Sequence, residues 1–355
     1  MARTATPATA TSATWPLKGP LSATRSPADP FLQRVRLPQR AMFNVLGVPV
    51  QFESNAGWLL GLAGQAYDGL PACEQAPSQL SAHGQHLRVR LLANDDAQPH
   101  IGLTEAPVAN VYASDDVVSA IFSPSDAVVC ALTSGSALII VSPVMRAFPY
   151  HVRYEMIEFA CYRLVSHHVR AVGLHAACIA RGDKAWLIFG ETGAGKSTLT
   201  FACLQHGWEL IAEDSAFVLP QAGGGAEVRG VPAFVHLLDD MLGLFPKHAL
   251  MASSITRRSG AVKHEIDVRA TFKRPMRVCA PLAGCVFLTA RRQQVTPAVR
   301  RLTPEAAQRQ LVRSQPFAPN YPRWPDVVAL IRRLPAVALS CGTDLARTVE
   351  VLGRL

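Results

Sequence analysis

The sequence contains no run of eighteen apolar residues, the length that a membrane-spanning helix needs, although 49% of its residues are hydrophobic. Its N-terminus also lacks the basic-then-apolar order of a secretory signal peptide. We therefore expect a cytoplasmic protein with no membrane partner. A chain of 355 residues can bury a sizeable core, and we expect two domains preceded by a tail.

Paired cysteines and basic stripes are missing too. None of the eight cysteines forms a Cys-x-x-Cys pair, so a zinc site is poorly supported and reduced core thiols are expected. The formal net charge is +9, but Lys and Arg are scattered and no basic run is interleaved with aromatic residues. Nucleic acid is therefore not an expected partner.

Composition divides the chain into three parts. Residues 1–40 are dominated by Ala, Thr, Ser and Pro without apolar periodicity, which predicts a disordered tail. Residues 41–150 contain short alternating runs such as "HLRVRLLAN" and "DDVVSAIFS", which predict a small α+β domain. Residues 151–355 alternate strand and helix patterns, which predicts an α/β domain with P-loop architecture.

The strongest motif is "GETGAGKS", which fits G-x-x-x-x-G-K-[ST]. The apolar strand pattern "KAWLIFG" precedes it, and the helix pattern "STLTFACLQHG" follows. Backbone N–H groups of such a loop surround phosphate oxygens, Lys196 reaches the β- and γ-phosphates, and Ser197 offers its hydroxyl to Mg²⁺. We therefore predict binding of ATP and Mg²⁺. The residues predicted to bind the nucleotide are Gly190, Glu191, Thr192, Gly193, Ala194, Gly195, Lys196, Ser197 and Thr198.

Two adjacent carboxylates, Glu213 and Asp214, end the next strand pattern, "WELIAED". Ligands of α/β sheets bind beyond the carboxyl ends of strands, so Asp214 is expected to face the γ-phosphate. Because side chains alternate along a strand, we expect only one of the two to point into the site and Glu213 to point away. Asp214 is then either a general base or a metal ligand.

The segment "GLHAACIARGDKAWLIFGETGAGKSTLTFACLQHGWELIAEDSAFV" resembles the catalytic core of the HPr kinase/phosphorylase family. The resemblance covers about 45 residues strongly. It implies a P-loop, HPr kinase-like catalytic domain in which His175 and Asp214 are catalytic together with Lys196. It also aligns "AEVRGV" with the family's "EIRG" segment, which would make Glu227 a metal ligand beside Ser197. A homo-oligomer is implied in the same way.

The resemblance implies ATP-dependent transfer of a phosphoryl group to a Ser or Thr hydroxyl of a protein or peptide. Glu213 replaces an Asp of the family pattern, and residues 41–150 do not look like the family's N-terminal module, which puts HPr itself in doubt as the acceptor. A nucleotide-switched ATPase and a kinase of a small metabolite stay open. The basic segment 257–274 offers Arg257, Arg258, Lys263 and Arg269 either as a clamp over phosphate or as a solvated loop.

Overall fold

The computed structural model describes residues 35–73, 86–95, 104–249, 252–257, 260–289 and 296–355. Residues 37–355 form one compact unit. Most of the predicted tail, residues 1–34, lies outside the described residues, and Gln39 and Arg40 belong to the first strand. Among the described helices none is both long and apolar enough to cross a bilayer.

The structure is a mixed α/β arrangement with three sheets. The strands are, in chain order, β1 Gln39–Val45, β2 Val48–Ser54, β3 Leu87–Ala93, β4 Asn110–Ala113, β5 Val117–Ser123, β6 Asp126–Ala131, β7 Ser136–Val141, β8 Val172–His175, β9 Ala177–Arg181, β10 Lys184–Phe189, β11 Glu209–Ala212, β12 Ser215–Pro220, β13 Ala226–Arg229, β14 Phe234–Leu238, β15 Ala252–Thr256, β16 Val262–Asp267, β17 Cys279–Leu288, β18 Ala298–Arg301 and β19 Ala336–Ser340.

The α-helices are α1 Gly57–Tyr67, α2 Pro143–Arg146, α3 Pro149–His151, α4 Phe159–His168, α5 Lys196–Gln205, α6 Asp239–Leu242, α7 Pro246–Ala249, α8 Val268–Phe272, α9 Pro304–Ser314, α10 Trp324–Ile331 and α11 Leu345–Leu352. A π-helical stretch, Val152–Glu158, joins α3 to α4, and a 3₁₀ turn covers Ala318–Asn320. A π-helix of this length is rare, and such stretches are common at functional sites.

The first sheet has the strand order β1-β2-β3-β7-β6-β5-β4. Its central pairs β2–β3 and β3–β7 are parallel, and its outer pairs are antiparallel. Strand alternation is clear in β7, where Ala137, Ile139 and Val141 are buried and the intervening residues are less so. Helices α1 and α4 cover this buried face, and together they form one apolar core.

The second sheet has the order β11-β9-β10-β17-β13-β12-β8, and β19 and then β18 extend it beside β17. Side chains of β10 point alternately to the two faces of the sheet and pack into two cores. Leu187 and Phe189 face α9 and α10, whereas Trp186 and Ile188 face α5 and α11. A strand buried on both faces reads as a continuous apolar run, as "AWLIF" does. The sheet is therefore the middle layer between two helical layers.

Strand directions decide what meets at each edge of this sheet. Strand β10 is antiparallel to β9, and β9 is antiparallel to β11, so β10 and β11 run in the same direction. Strand β17 is parallel to β10. The carboxyl ends of β10, β11 and β17 therefore lie at one edge, which we call the loop edge. The third sheet, β14-β16-β15, contributes residues to the same region, as described below.

Candidate phosphate-binding and phosphoryl-transfer site

The glycine-rich loop 190–195 follows β10 at the loop edge and leads into α5. Gly193 has φ +82° and Gly195, the N-cap of α5, has φ +95°. These left-handed conformations strain any residue with a Cβ, so glycine is required at both positions. The Ala194 N–H donates to the Glu191 carbonyl at 3.1 Å, which closes the loop into a tight turn.

The first turn of α5 is open to a ligand. Its N-cap residue, Gly195, has no side chain that could accept from the first-turn N–H groups. These N–H groups also have no partner within the helix itself. Lys196 Nζ donates to the Gly190 carbonyl at 2.7 Å. Burial lowers the pKa of Lys196, and the carboxylates of Asp214 and Glu213 act against that shift. A cationic amine and free helix N–H groups together suit an anion.

Glu213 is the carboxylate that contacts the loop serine. Ser197 Oγ donates to Glu213 Oε1 at 2.5 Å. The structure thus differs from the expectation that Glu213 points away. The reason is that β11 ends at Ala212, so Glu213 and Asp214 form a bend outside the strand, where side-chain alternation does not apply. Strand β9 also separates β11 from β10, yet both strands end at the loop edge.

Behind Glu213 lies a chain of alternating charges. His236 on β14 has Nδ1 at 3.2 Å from Glu213 Oε2 and Nε2 at 3.0 Å from Glu265 Oε2. Ionised carboxylates only accept, so two of them facing the two ring nitrogens favour the cationic form of the imidazole. Burial alone would lower the pKa of His236, but its hydrogen bonds to the two carboxylates outweigh burial and raise it. His236 thereby keeps Glu213 ionised and oriented: burial would raise the pKa of Glu213, and the bonds from His236 and Ser197 hold it low.

The π-helical stretch completes this chain from the other side. Arg153 forms an ion pair with Glu265, while its buried Nη1 has no hydrogen-bond partner within the described part of the chain. Burial raises the pKa of Glu158 to about 7, with Arg153 acting against that shift. A small cavity lies between the π-helical stretch and the bend after β11. It is lined by Arg153, Tyr154, Glu158, Tyr162, Glu213, Asp214, Ser215, Val231, Ala233, Phe234 and His236.

Asp214 has different partners from Glu213. Its Oδ1 lies 3.1 Å from His175 Nδ1, and Tyr154 donates its hydroxyl to Oδ2 at 3.4 Å. The side chains of Asp214 and His175 are 29% and 53% exposed, so both are open to an incoming molecule. The pairing of β12 with β8 places Ser215 opposite His175, which explains why the two side chains meet. Buried Gln315 fixes the His175 backbone by accepting from its N–H at 2.8 Å and donating to its carbonyl at 3.0 Å.

Glu227 does not join this group. It lies on β13 opposite Pro281 near the start of β17, whereas Phe189, just before the loop, pairs with Phe287 near the end of β17. Six residues of strand separate the two positions, about 20 Å. Its carboxylate instead accepts from Arg229 Nε at 2.5 Å. The short sequence match to "EIRG" did not determine which residues of neighbouring strands pair. Because β13 pairs with the start of β17, Glu227 lies at the edge of the sheet opposite the loop edge.

The residues of the basic segment 257–274 also lie in different places, some near the loop edge and some away from it. Arg257 stacks over Tyr154 at 5.1 Å, and Lys263 is close enough to lower the pKa of Glu213. Arg269 instead donates to the carbonyls of Gln65 and Asp68, at the end of α1, and pairs with Asp267. Arg258 lies outside the described residues.

The donor groups at the loop edge fit Mg·ATP chemically. The loop and the first turn of α5 provide N–H groups for phosphate, and Ser197 and Glu213 provide the hard oxygen donors that Mg²⁺ prefers. Lys196 adds a positive charge beside them. Glu213, rather than Glu227, is the carboxylate next to Ser197.

Comparison with known proteins adds little. No family model matches the chain, and no curated protein matches it. Among solved structures, the Hpr(Ser) kinase/phosphatase from Coxiella burnetii shares 16% sequence identity with it, over 51% of this chain and 93% of that chain. The TM-score is 0.29, which is too low to support an argument about fold or activity.

Proposed function

We propose that this protein is an ATP-dependent kinase that phosphorylates a Ser or Thr hydroxyl of a protein or peptide. The observation that carries the proposal is that two adjacent carboxylates have different contacts. Glu213 accepts from the loop serine, while Asp214 lies beside it, partly exposed and next to His175. Attack on the γ-phosphate needs a group that positions the nucleophile, whether this is water or a hydroxyl, and the exposure of Asp214 and His175 leaves that place open to a protein or peptide hydroxyl.

Binding in this proposal uses the glycine-rich loop and the first turn of α5. Their N–H groups would hold the α- and β-phosphates, and Lys196 would turn from the Gly190 carbonyl toward the γ-phosphate. Ser197 and Glu213 would hold Mg²⁺, which supplies neutralisation of the phosphate charge. His236 keeps Glu213 ionised for that role.

Transfer in this proposal uses Asp214. The acceptor oxygen attacks the γ-phosphorus, the bond from that phosphorus to the β,γ-bridging oxygen breaks, and ADP leaves. Asp214 accepts the proton of the attacking hydroxyl. His175 and Tyr154 orient the carboxylate through their contacts with Oδ1 and Oδ2. Gln315 acts through the backbone of His175 and is a positioning residue.

The experiment is a transfer assay with γ-labelled ATP and a cell extract. With the wild-type chain we expect label on a polypeptide, as acid-stable phosphoserine or phosphothreonine. We expect the same with the control Lys184→Ala, which changes an exposed lysine on β10, the strand that precedes the loop. Lys196→Ala should give none. Label found only as free phosphate would make the protein an ATPase, and label found in a small molecule would make it a metabolite kinase.

A further inference from the structure

Away from the loop edge, three metal-ligand side chains meet from distant parts of the sequence. Cys73 follows α1, Glu227 lies on β13, and Cys279 begins β17. Their ligand atoms all lie within 4.8 Å of one another. Ligands of a tetrahedral zinc ion with about 2.3 Å bonds stand roughly 3.8 Å apart, so a small adjustment would bring the three into contact with one ion.

The backbone holds this cysteine cluster (Cys73, Glu227 and Cys279) in place. The Cys73 N–H donates to the Gly47 carbonyl at 3.0 Å. Gly47 lies in the turn between β1 and β2 with φ +75°, and a Cβ there would come 2.2 Å from Cys73 Sγ. Cys279 is paired with Arg229 across β13 and β17, which puts Glu227 two residues away along the same face.

Charge also favours a divalent cation. Buried Arg229, only 2% exposed, binds Glu227 through Nε and donates Nη1 to the Leu46 carbonyl at 3.2 Å. Two thiolates and one carboxylate carry three negative charges, and a divalent ion with Arg229 balances them. Carboxylates that bind metals are commonly oriented by such a hydrogen bond.

We propose that Cys73, Cys279 and Glu227 bind one zinc ion. Sulfur and carboxylate donors together match this borderline-soft cation, and neither thiol is used by the phosphoryl-transfer site. The ion would tie the turn of the first sheet to the start of β17, so that its removal should lower the stability of the fold. A water would complete the four ligands.

The test uses the full chain purified without a histidine tag, stripped with a chelator under reducing conditions and titrated with Co²⁺. Cobalt bound to thiolate absorbs in the near ultraviolet, whereas cobalt bound to oxygen donors such as Ser197 and Glu213 does not. We expect this absorption to saturate at one ion per chain and to vanish when Zn²⁺ is added. The absorption should be lost in Cys279→Ser and kept in Cys285→Ala, a buried thiol on the same strand.

Glu227→Gln should weaken cobalt binding by at least about tenfold while keeping the thiolate absorption. A wild-type chain without thiolate absorption would overturn the proposal, as would absorption unchanged in Cys279→Ser. A Cys73–Cys279 disulfide found in the reduced preparation would overturn it as well. If Cys279→Ser does not fold, the wild-type titration and its displacement by zinc still decide the question.

Discussion

The two edges of the second sheet hold clusters of different chemistry and different origin. At the loop edge, oxygen donors and a lysine surround a glycine-rich turn, and the three central residues Lys196, Ser197 and Glu213 come from one segment of sequence. At the opposite edge, Cys73, Glu227 and Cys279 come from segments far apart in the chain.

The difference between the two clusters predicts which property of the protein each one controls. At the loop edge, Lys196 and Ser197 hydrogen-bond to groups within residues 190–213, so we expect these side chains to control turnover rather than stability. The cysteine cluster joins the first sheet to the second, so we expect it to control stability rather than turnover. The predictions below test this separation, from the largest expected effect to the smallest.

Lys196→Ala should reduce ATP turnover by about a thousandfold or more, because the lysine charge meets the charge that develops on the transferred phosphoryl group. The melting temperature should stay near that of the wild type, since the hydrogen bond that Lys196 makes among the described residues is to a carbonyl of its own loop. Single-turnover kinetics and calorimetry measure the two. A well-folded variant with normal turnover would remove the loop edge as the active site.

Asp214→Asn should lower phosphoryl transfer by about 10²–10⁴-fold while Mg·ATP affinity is kept, because Asn cannot accept the acceptor's proton. Glu213→Gln is the matched change one residue earlier. It should raise the Mg²⁺ concentration needed for half-maximal turnover, since it removes the charge beside Ser197. Calorimetric titration of Mg·ATP and transfer rates at several Mg²⁺ concentrations separate the two roles. The roles are exchanged if Asp214→Asn is the variant that loses Mg·ATP.

At the opposite edge, zinc at one hundred times its dissociation constant should raise the melting temperature of the stripped chain by about 5 °C. Cys279→Ser should abolish that rise, and ATP affinity should not change in either case. Differential scanning calorimetry with and without zinc provides the measurement. A zinc-dependent change in ATP affinity would show that the two edges are coupled.

The loop edge was largely predictable from sequence because its signal is local. The pattern around Gly190–Ser197 predicted a strand, a loop and a helix, and these are β10, the glycine-rich loop and α5. The helix pattern "STLTFACLQHG" ends at Gly207, and α5 ends just before it, at Gln205. Either Thr343 or Asp344 could cap the last helix on the sequence pattern, and in the structure the Asp344 side chain accepts from the Arg347 N–H. Local hydrogen bonding and periodicity determine such features.

What depends on strand pairing was not predictable. The orientation of Glu213 follows from the point where β11 ends, at Ala212, two residues before the end of the strand pattern "WELIAED". His236 and Glu265 meet because β14 pairs with β16, which no local pattern encodes. Glu227 was expected beside the phosphate, but it lies at the opposite edge because β13 pairs with the start of β17. The domain limits drawn from composition stay predictions.

Glu158→Gln tests a group that lies between the two sheets near the site. The pKa of Glu158 in the folded chain is raised to about 7, chiefly by burial. The folded state therefore holds a proton that the unfolded state loses first, so the stability that this group contributes falls as pH rises from about 4.5 to 7. The groups facing it are Tyr162, Arg153, His236 and Glu265.

In the wild type, the free energy of unfolding should fall by on the order of 3 kcal/mol across that pH range as Glu158 loses its proton. Gln has no proton to lose, so Glu158→Gln should not show this decrease. Denaturant unfolding at pH 5 and pH 8 measures it, with exposed Glu305→Gln as the control that should leave the slope unchanged. Equal slopes in wild type and Glu158→Gln would mean that Glu158 is ionised in the fold.

Glu191→Gln should have the smallest effect of all, although Glu191 lies inside the glycine-rich loop. Its side chain is 82% exposed and pairs with Arg313, which is equally exposed. Exposed ion pairs contribute little, so the KM for ATP should change by less than about fivefold. The loop is expected to hold phosphate through backbone N–H groups, which the substitution leaves in place. A larger rise in KM would mean that Arg313, released from Glu191, no longer lies where the nucleotide needs it, and would extend the active site onto α9.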